Sequence, residues 1–387
     1  MIDKLAGYKA FFEKYPVIIV IFFAFISYVL TISFGWVLLD DKGMIEEVLK
    51  LYSDPASLIN VFIHEYASFF RPLQILTFAL ESYIAGNDPA FYHFVNVLLH
   101  TIASALVFIF FLRINYPKLI SLSLAMIFAV HPLFTHAVAW IPSRGDLLLA
   151  IFGLLSIIYF LDYIKEKRLP DLILHNVFLL LALFSKETAA MIPVMIFIYL
   201  ILNRKKSLIK YLYLLPGWVI CLGIWYLLRS LSISEDISPE VFGFGPLTSN
   251  IRIIPELAGK FFFPYDLSTL PGFSLSQTLT GIIFLILLII FSFIRKNSKD
   301  RLLIFGLAWY FLFLFPSLLF RLPHSDIYFD YFEHRAYLAS IGLFIIIAEL
   351  ITSFDIEKAR KYIKIGTVAI TARSEEHTSE LQSLLII

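Results

Sequence analysis

Long apolar runs alternate with short polar breaks along almost the whole chain. The runs cover 17–38, 91–112, 119–138, 146–163, 172–184, 188–202, 211–228, 276–294, 302–320 and 335–353, with a further start near 362. Most are long enough to cross a bilayer as helices, for which about 20 residues are needed. The two short ones, 172–184 and 188–202, are separated only by Ser185-Lys186-Glu187 and read as short helices meeting at a polar turn. The pattern predicts an all-α polytopic membrane protein, a bundle of about 10–11 transmembrane helices. Between the first two runs, Leu39 to Ala90 is a long polar stretch. Inside it Pro72 to Ala85 is apolar, is too short to span and contains Glu81, so it reads as an amphipathic helix lying at the interface. The stretch 230–274 is rich in Pro, Gly and Ser and carries the aromatic run Phe261-Phe262-Phe263. It reads as a second long loop with short helices.

Composition supports this reading. Of 387 residues 59% are hydrophobic and only 16% charged, and mean hydropathy is +0.83. Soluble domains carry roughly 25% charged residues. A soluble enzyme, a disordered chain and a coiled coil are excluded. The net charge of +1 gives no case for a nucleic-acid partner, and a single cysteine, Cys221, allows neither a disulfide framework nor a cysteine zinc site.

Charge placement predicts orientation. Twenty Lys and Arg fall in one alternating set of loops, from Lys4 to Lys364, and ten in the other set, from Lys42 to Arg335. The positive-inside rule puts the first set and the N-terminus in the cytoplasm. The loops 39–90 and 230–274 then face outward, to the periplasm if the membrane is a bacterial inner membrane, which is favoured, or to the ER lumen in a eukaryote. At the far end, Arg-Ser-Glu-Glu-His-Thr-Ser-Glu-Leu-Gln-Ser, Arg373 to Ser383, resembles the translation of a sequencing adapter; the alternative is an ordinary polar tail. The expectation is a membrane domain over 1–372, an artefactual tail over 373–387 and a truncated native C-terminus.

The chemistry-bearing residues crowd the outer ends of the spans. Asp40-Asp41 follows the first span; paired interfacial carboxylates have raised pKa values and suit a general base, or simply end a helix. His93, Asn96 and His100 share a helical face, either lining a wet cavity or hydrogen-bonding between helices. His131, His136, Arg144 and Asp146 cluster at the third outer turn. Arg144 suits a lipid phosphate, or else pairs with Asp146 or snorkels. Lys186 and Glu187 pair with each other or face the cavity, and His334-Arg335 opens the tenth span beside them in the same outer layer as Arg71. Carboxylates and cations at one lipid–water boundary describe a site for an anionic lipid-linked substrate.

Five stretches carry a resemblance: Phe70-Arg71-Pro72-Leu73; His93-Phe-Val-Asn96-Val-Leu-Leu-His100; His131-Pro-Leu-Phe-Thr-His136-Ala-Val-Ala-Trp140-Ile-Pro-Ser-Arg144-Gly-Asp146; Leu183-Phe-Ser185-Lys186-Glu187-Thr188; and His334-Arg335-Ala-Tyr337. In this order, across about 17–350, they resemble the GT-C glycosyltransferases, and among these the TMTC family of membrane O-mannosyltransferases and its bacterial relatives. The resemblance implies transfer of a hexose, mannose by analogy, from a polyprenyl phosphate to a hydroxyl of a protein or glycan. It implies Asp40 or Asp41 as catalytic base and Arg71, Arg144, Lys186, His334 and Arg335 as donor-phosphate ligands. His93, Asn96, His100, His131, His136, Asp146 and Glu187 remain as polar residues of the cavity. No metal ligands are assigned; a divalent cation bridging phosphate and carboxylate stays optional. The competing reading is a transporter or flippase of lipid-linked saccharides, although charges at one interface and the lack of an inverted repeat speak for the transferase.

Overall fold

The computed structural model describes residues 14–37, 40–63, 69–203, 208–233, 243–268, 271–294, 300–320 and 332–353. The described residues form helices joined by turns and short irregular stretches, without a β-strand. The chain runs α1 (Pro16–Tyr28), α2 (Asp41–Leu51), α3 (Pro72–Ala85), α4 (Pro89–Arg113), α5 (Lys118–Val130), α6 (Thr135–Ala139), α7 (Arg144–Glu166), α8 (Leu169–Ser185), α9 (Met191–Asn203), α10 (Leu215–Ser232), α11 (Leu247–Asn250), α12 (Ile253–Phe262), α13 (Leu275–Ile294), α14 (Asp300–Leu318) and α15 (Ala336–Ser353). Each of the first ten predicted spans meets a helix. Six, counting 3-10 extensions, are long and apolar enough to cross a membrane. A bent pair, Lys118–Val130 with Pro132–Ala139, makes a seventh, and Leu169–Ser185, Glu187–Asn203 and Leu275–Phe291 are shorter apolar helices. The expected start near 362 and the tail 373–387 lie outside the described residues.

Local chemistry sets the boundaries. Pro16, Pro72 and Pro89 stand at the first helical positions of α1, α3 and α4, where a missing N–H costs nothing. Asp88 caps α4 by accepting from the Ala90 N–H at 3.1 Å. Gly86, at φ 58°, ends α3 in a conformation that L side chains avoid. α3 therefore has the bounds read from the sequence.

α4 is the central element, packed on α1, α5 and α7, while α7 packs along α8 and α14 along α15. Phe110, Phe111, Phe128, Phe134 and Trp309 fill the interior. The apolar faces left outside, such as Ile18, Phe22 and Ile26 on α1 and Val219, Ile220 and Leu231 on α10, suit lipid rather than water. α12 and α13 touch through glycines: a Cβ at Gly281 would collide with the Pro255 carbonyl.

One break positions the site. After Val130 the chain bends by 51°, at His131-Pro132. Pro132 brings no N–H, and the freed groups find partners: the Tyr28 hydroxyl donates to the His131 carbonyl at 3.0 Å, and the Leu133 N–H donates to His131 Nδ1 at 3.2 Å. The bend sends 135–143 across the end of the bundle, bringing His136 and Trp140 to the starts of α2, α7 and α15.

Candidate active site

α3 builds one wall. Gln74, Phe78 and Glu81 recur at helical spacing and form its buried face. They meet the turn 140–144. Gln74 Nε2 donates to the Pro142 carbonyl at 2.8 Å, and Arg144 lies over the Phe78 ring at 4.2 Å and forms an ion pair with Glu81. Arg144 is fully buried, and its other donors are taken too: Nε by Asn96 Oδ1 at 2.7 Å, Nη1 by the Thr77 hydroxyl at 3.2 Å and Nη2 by the Tyr92 carbonyl at 3.0 Å. Arg144 thus ties α3, α4 and α7 together. Its partner is Glu81, not the Asp146 that the sequence suggested. The reason is geometric: residues two apart on a helix point to different faces. Asp146 instead accepts from Lys186 Nζ at 2.8 and 2.7 Å. Glu187 does not pair with Lys186 but holds Arg71 in a two-pronged bond of 2.8 and 3.1 Å.

The histidines divide into two kinds. His100 and His131 are satisfied. His100 Nε2 faces the Ala129 carbonyl at 3.0 Å and must donate, so Nδ1 accepts from the Tyr337 hydroxyl at 2.7 Å. By the same logic His131 Nε2 donates to the Phe261 carbonyl at 3.0 Å. Both hold helices together, as does Asn96, whose amide points to the Val138 carbonyl at 3.2 Å. His93 reaches the Gly35 carbonyl at 3.2 Å through Nε2 and leaves Nδ1 without a partner. His136 and His334 differ from the satisfied pair. They are buried against each other at 5.0 Å between ring centres, with Trp140 5.0 Å from His136 and 5.4 Å from His334, and Phe332 alongside. Both nitrogens of His136, Nδ1 of His334 and Nε1 of Trp140 have no hydrogen-bond partner.

Asp41 adjoins this group. It is fully buried; its Oδ2 accepts from the Val37 N–H at 3.2 Å and its Oδ1 is unpartnered. Burial is the main cause that raises its pKa from 3.8 to about 7, with the charge of Asp40 adding to the rise. The Val37 N–H and the Trp140 indole oppose it, although the indole completes no hydrogen bond. Asp40 is exposed, with its own pKa raised by partial burial of the carboxyl. On the other side, Lys186, Arg335 and Arg71 all lie within electrostatic range of His334. Of the seven residues expected to act directly, Arg71, Lys186, His334 and Arg335 therefore lie together, with Asp41 joined to them through Trp140; Asp40 is exposed beside Asp41, and Arg144 is taken up by Glu81, Asn96, Thr77 and Tyr92.

A triad absent from the sequence expectations completes the floor. Lys260 of α12 contacts Glu333 at 3.0 Å and Glu256 at 3.8 Å, all three buried. Burial lifts Glu256 to about 7 against the pull of Lys260. The signal available was a Lys one helical turn beyond a Glu in an otherwise apolar helix, since charges in such a place must be paired. Glu81 carried the same signal. Among the described residues no group of three or more His, Cys, Asp or Glu could hold a metal ion.

Residues 72–227 match the family model described as dolichyl-phosphate-mannose-protein mannosyltransferase. The chain is also similar to Protein O-mannosyl-transferase Tmtc1 of Drosophila melanogaster, 37% identical over 120 residues, which are 31% of this chain and 14% of the relative. It is 39% identical over 113 residues to human TMTC4, covering 26% of this chain and 15% of that protein, and 37% identical over 102 residues to mouse TMTC3, covering 26% and 10%. The chain thus matches only a small part of the length of these relatives. The matched segment holds α3, the bend, Arg144, Asp146, Lys186 and Glu187. The likeness to the TMTC proteins is borne out: residues 72–227 of this all-α, multi-pass membrane protein resemble the dolichyl-phosphate-mannose-protein mannosyltransferases.

Proposed function

We propose that this protein transfers a hexosyl group, mannosyl by similarity to its relatives, from a polyprenyl-phosphate donor to a hydroxyl of a protein or glycan, at the outer or lumenal face of the membrane. The observation that carries the reading is Asp41: a fully buried carboxylate with one unpartnered oxygen, its pKa raised by burial to about 7, beside the Trp140 that also packs on His334. A general base works best when its pKa lies near the working pH.

In the proposed reaction the acceptor oxygen attacks the anomeric carbon and gives its proton to Asp41. The bond from that carbon to the phosphate oxygen breaks, and polyprenyl phosphate leaves with the electron pair. Charge grows on the leaving phosphate. Lys186, Arg335 and Arg71 are the groups proposed to stabilise it; preorganised donors of this kind are worth about 10²–10³ in rate each. Arg144 acts through position: it fixes α3 and the turn that carries Trp140. The N-terminus lies on the cytoplasmic side in this reading, consistent with the placement of basic loops.

The test is release of polyprenyl phosphate by the purified chain in detergent, offered mannose, glucose, galactose and aminoarabinose donors. Wild type releases the lipid from at least one donor, and Asp41→Asn does not. Full turnover by a folded Asp41→Asn variant, or no release from any donor by folded wild type, overturns the reading.

A further inference from the structure

The base and the cations do not touch each other. Trp140, which adjoins Asp41, packs with His136 and His334 in one three-ring cluster, and His334 is the ring within electrostatic range of Lys186, Arg71 and Arg335. The three side chains expose, within a buried layer, four nitrogens without partners: His136 Nδ1 and Nε2, His334 Nδ1 and Trp140 Nε1. Buried polar atoms are nearly always paired in a folded protein, and each one left alone costs about 1–3 kcal/mol. Four together, on side chains within van der Waals reach of one another, mark a place built for a polar ligand.

The donor set says which kind. An uncharged imidazole carries one N–H and one bare nitrogen, so a ring with both nitrogens unpartnered needs a hydrogen-bond donor as well as an acceptor. A phosphate diester offers acceptors only. A sugar hydroxyl is both. The phosphate already has cations in Lys186, Arg71 and Arg335, and the acceptor hydroxyl has Asp41. Trp140 and Phe332, packed 5.7 Å apart in the same cluster, add aromatic ring surface of the type on which the C–H face of a pyranose stacks.

Resting on the transferase reading above, we propose that His136, His334 and Trp140 form the subsite for the hydroxyl groups of the transferred sugar, with His136 the principal contact. The cluster adjoins Asp41 through Trp140 and the cations through His334, so a sugar bound there is next to both groups that the displacement uses.

The experiment is binding by the full chain in nanodiscs, with polyprenyl-phosphate mannose and bare polyprenyl phosphate as the two probes. His136→Phe and His334→Phe keep the ring packing and remove the nitrogens; His136→Gln restores a donor and an acceptor. Loss of one or two hydroxyl hydrogen bonds corresponds to a weakening of about tenfold for the sugar-bearing probe. Binding of the bare lipid phosphate stays within about twofold, and His136→Gln recovers most of the loss. Equal losses on both probes assign the histidines to the phosphate and overturn the proposal. Unchanged binding of both probes in folded variants overturns it as well. Failure of wild type to bind either lipid overturns the transferase reading and the subsite with it, whereas wild-type turnover with unaffected variants removes the subsite alone.

Discussion

Asp41 carries a cost that can be measured without any substrate. Its pKa rises from 3.8 to about 7 in the folded protein because the carboxyl is fully buried and only Val37 donates to it. The fold therefore prefers the protonated acid. The preference is fully present below the unfolded-state value, is lost as pH rises through about 7, and above that leaves an ionised group that folding disfavours. The difference between 3.8 and about 7 corresponds to at most about 4 kcal/mol. Asp41→Asn removes the ionisation and keeps the shape, and its side-chain oxygen can still accept from Val37. The variant is expected to unfold at the same temperature as wild type near about pH 3.5 and at a clearly higher temperature near about pH 8.5. Its turnover is expected to vanish at both. Wild-type turnover, in contrast, rises through about pH 7 as the base ionises, so activity and stability move in opposite directions over one pH window. Thermal unfolding followed by intrinsic fluorescence in detergent, paired with lipid phosphate release, reads both. Equal melting of wild type and variant at alkaline pH refutes the burial argument. A wild-type rate that does not change between acid and alkaline pH refutes the assignment of Asp41 as base.

The other predictions concern the supports. Arg144→Ala leaves Glu81 buried without its partner and is expected to cost about 3–5 kcal/mol, seen as a large drop in melting temperature; adding Glu81→Gln recovers part of it. Lys186→Gln alone strands Asp146 and destabilises the fold; the double variant with Asp146→Asn melts near wild type yet stays about 100-fold slower in lipid phosphate release, which separates the cation's part in the reaction from its part in folding. Gly281→Ala drives a methyl group into the Pro255 carbonyl, so α12 and α13 cannot close, and limited proteolysis is expected to cut between them.

The architecture was legible because the membrane imposes one rule on every segment: backbone groups must be satisfied within the helix, so length and apolarity reveal each span. Pro72 and Gly86 marked α3 to the residue. The set of residues around the site was legible in part, since charges at one interface are rare enough to count. Their pairing was not. Arg144 and Asp146 are two positions apart, and Lys186 and Glu187 adjacent, yet each turns to a residue distant in sequence: Glu81, Lys186, Asp146 and Arg71 respectively. Neighbours on a helix or turn diverge, and the true partners meet only once α3, α7 and α8 have packed. The meeting of His136 with His334 is of the same kind, 198 positions apart by number and 5.0 Å apart in space.

The pairing also orders the cations by availability to a ligand. Arg144 has a buried carboxylate, an amide, a hydroxyl and a carbonyl around it, and a phosphate displacing them would strand Glu81 in an apolar layer. Lys186 and Asp146 are also buried, with side chains 8% and 7% exposed. Arg71 and Glu187 are the most open of the three pairs, at 18% and 38%. A partly exposed carboxylate released from its arginine can be taken up by water at a lower cost than a buried one. In the proposed reaction, then, an arriving lipid phosphate exchanges first with Glu187 on Arg71, and it engages Lys186 by joining Asp146 rather than replacing it. In this proposal the carboxylates hold the cations in place before the donor arrives, and the degree of burial of each pair sets the order in which the pairs exchange with it.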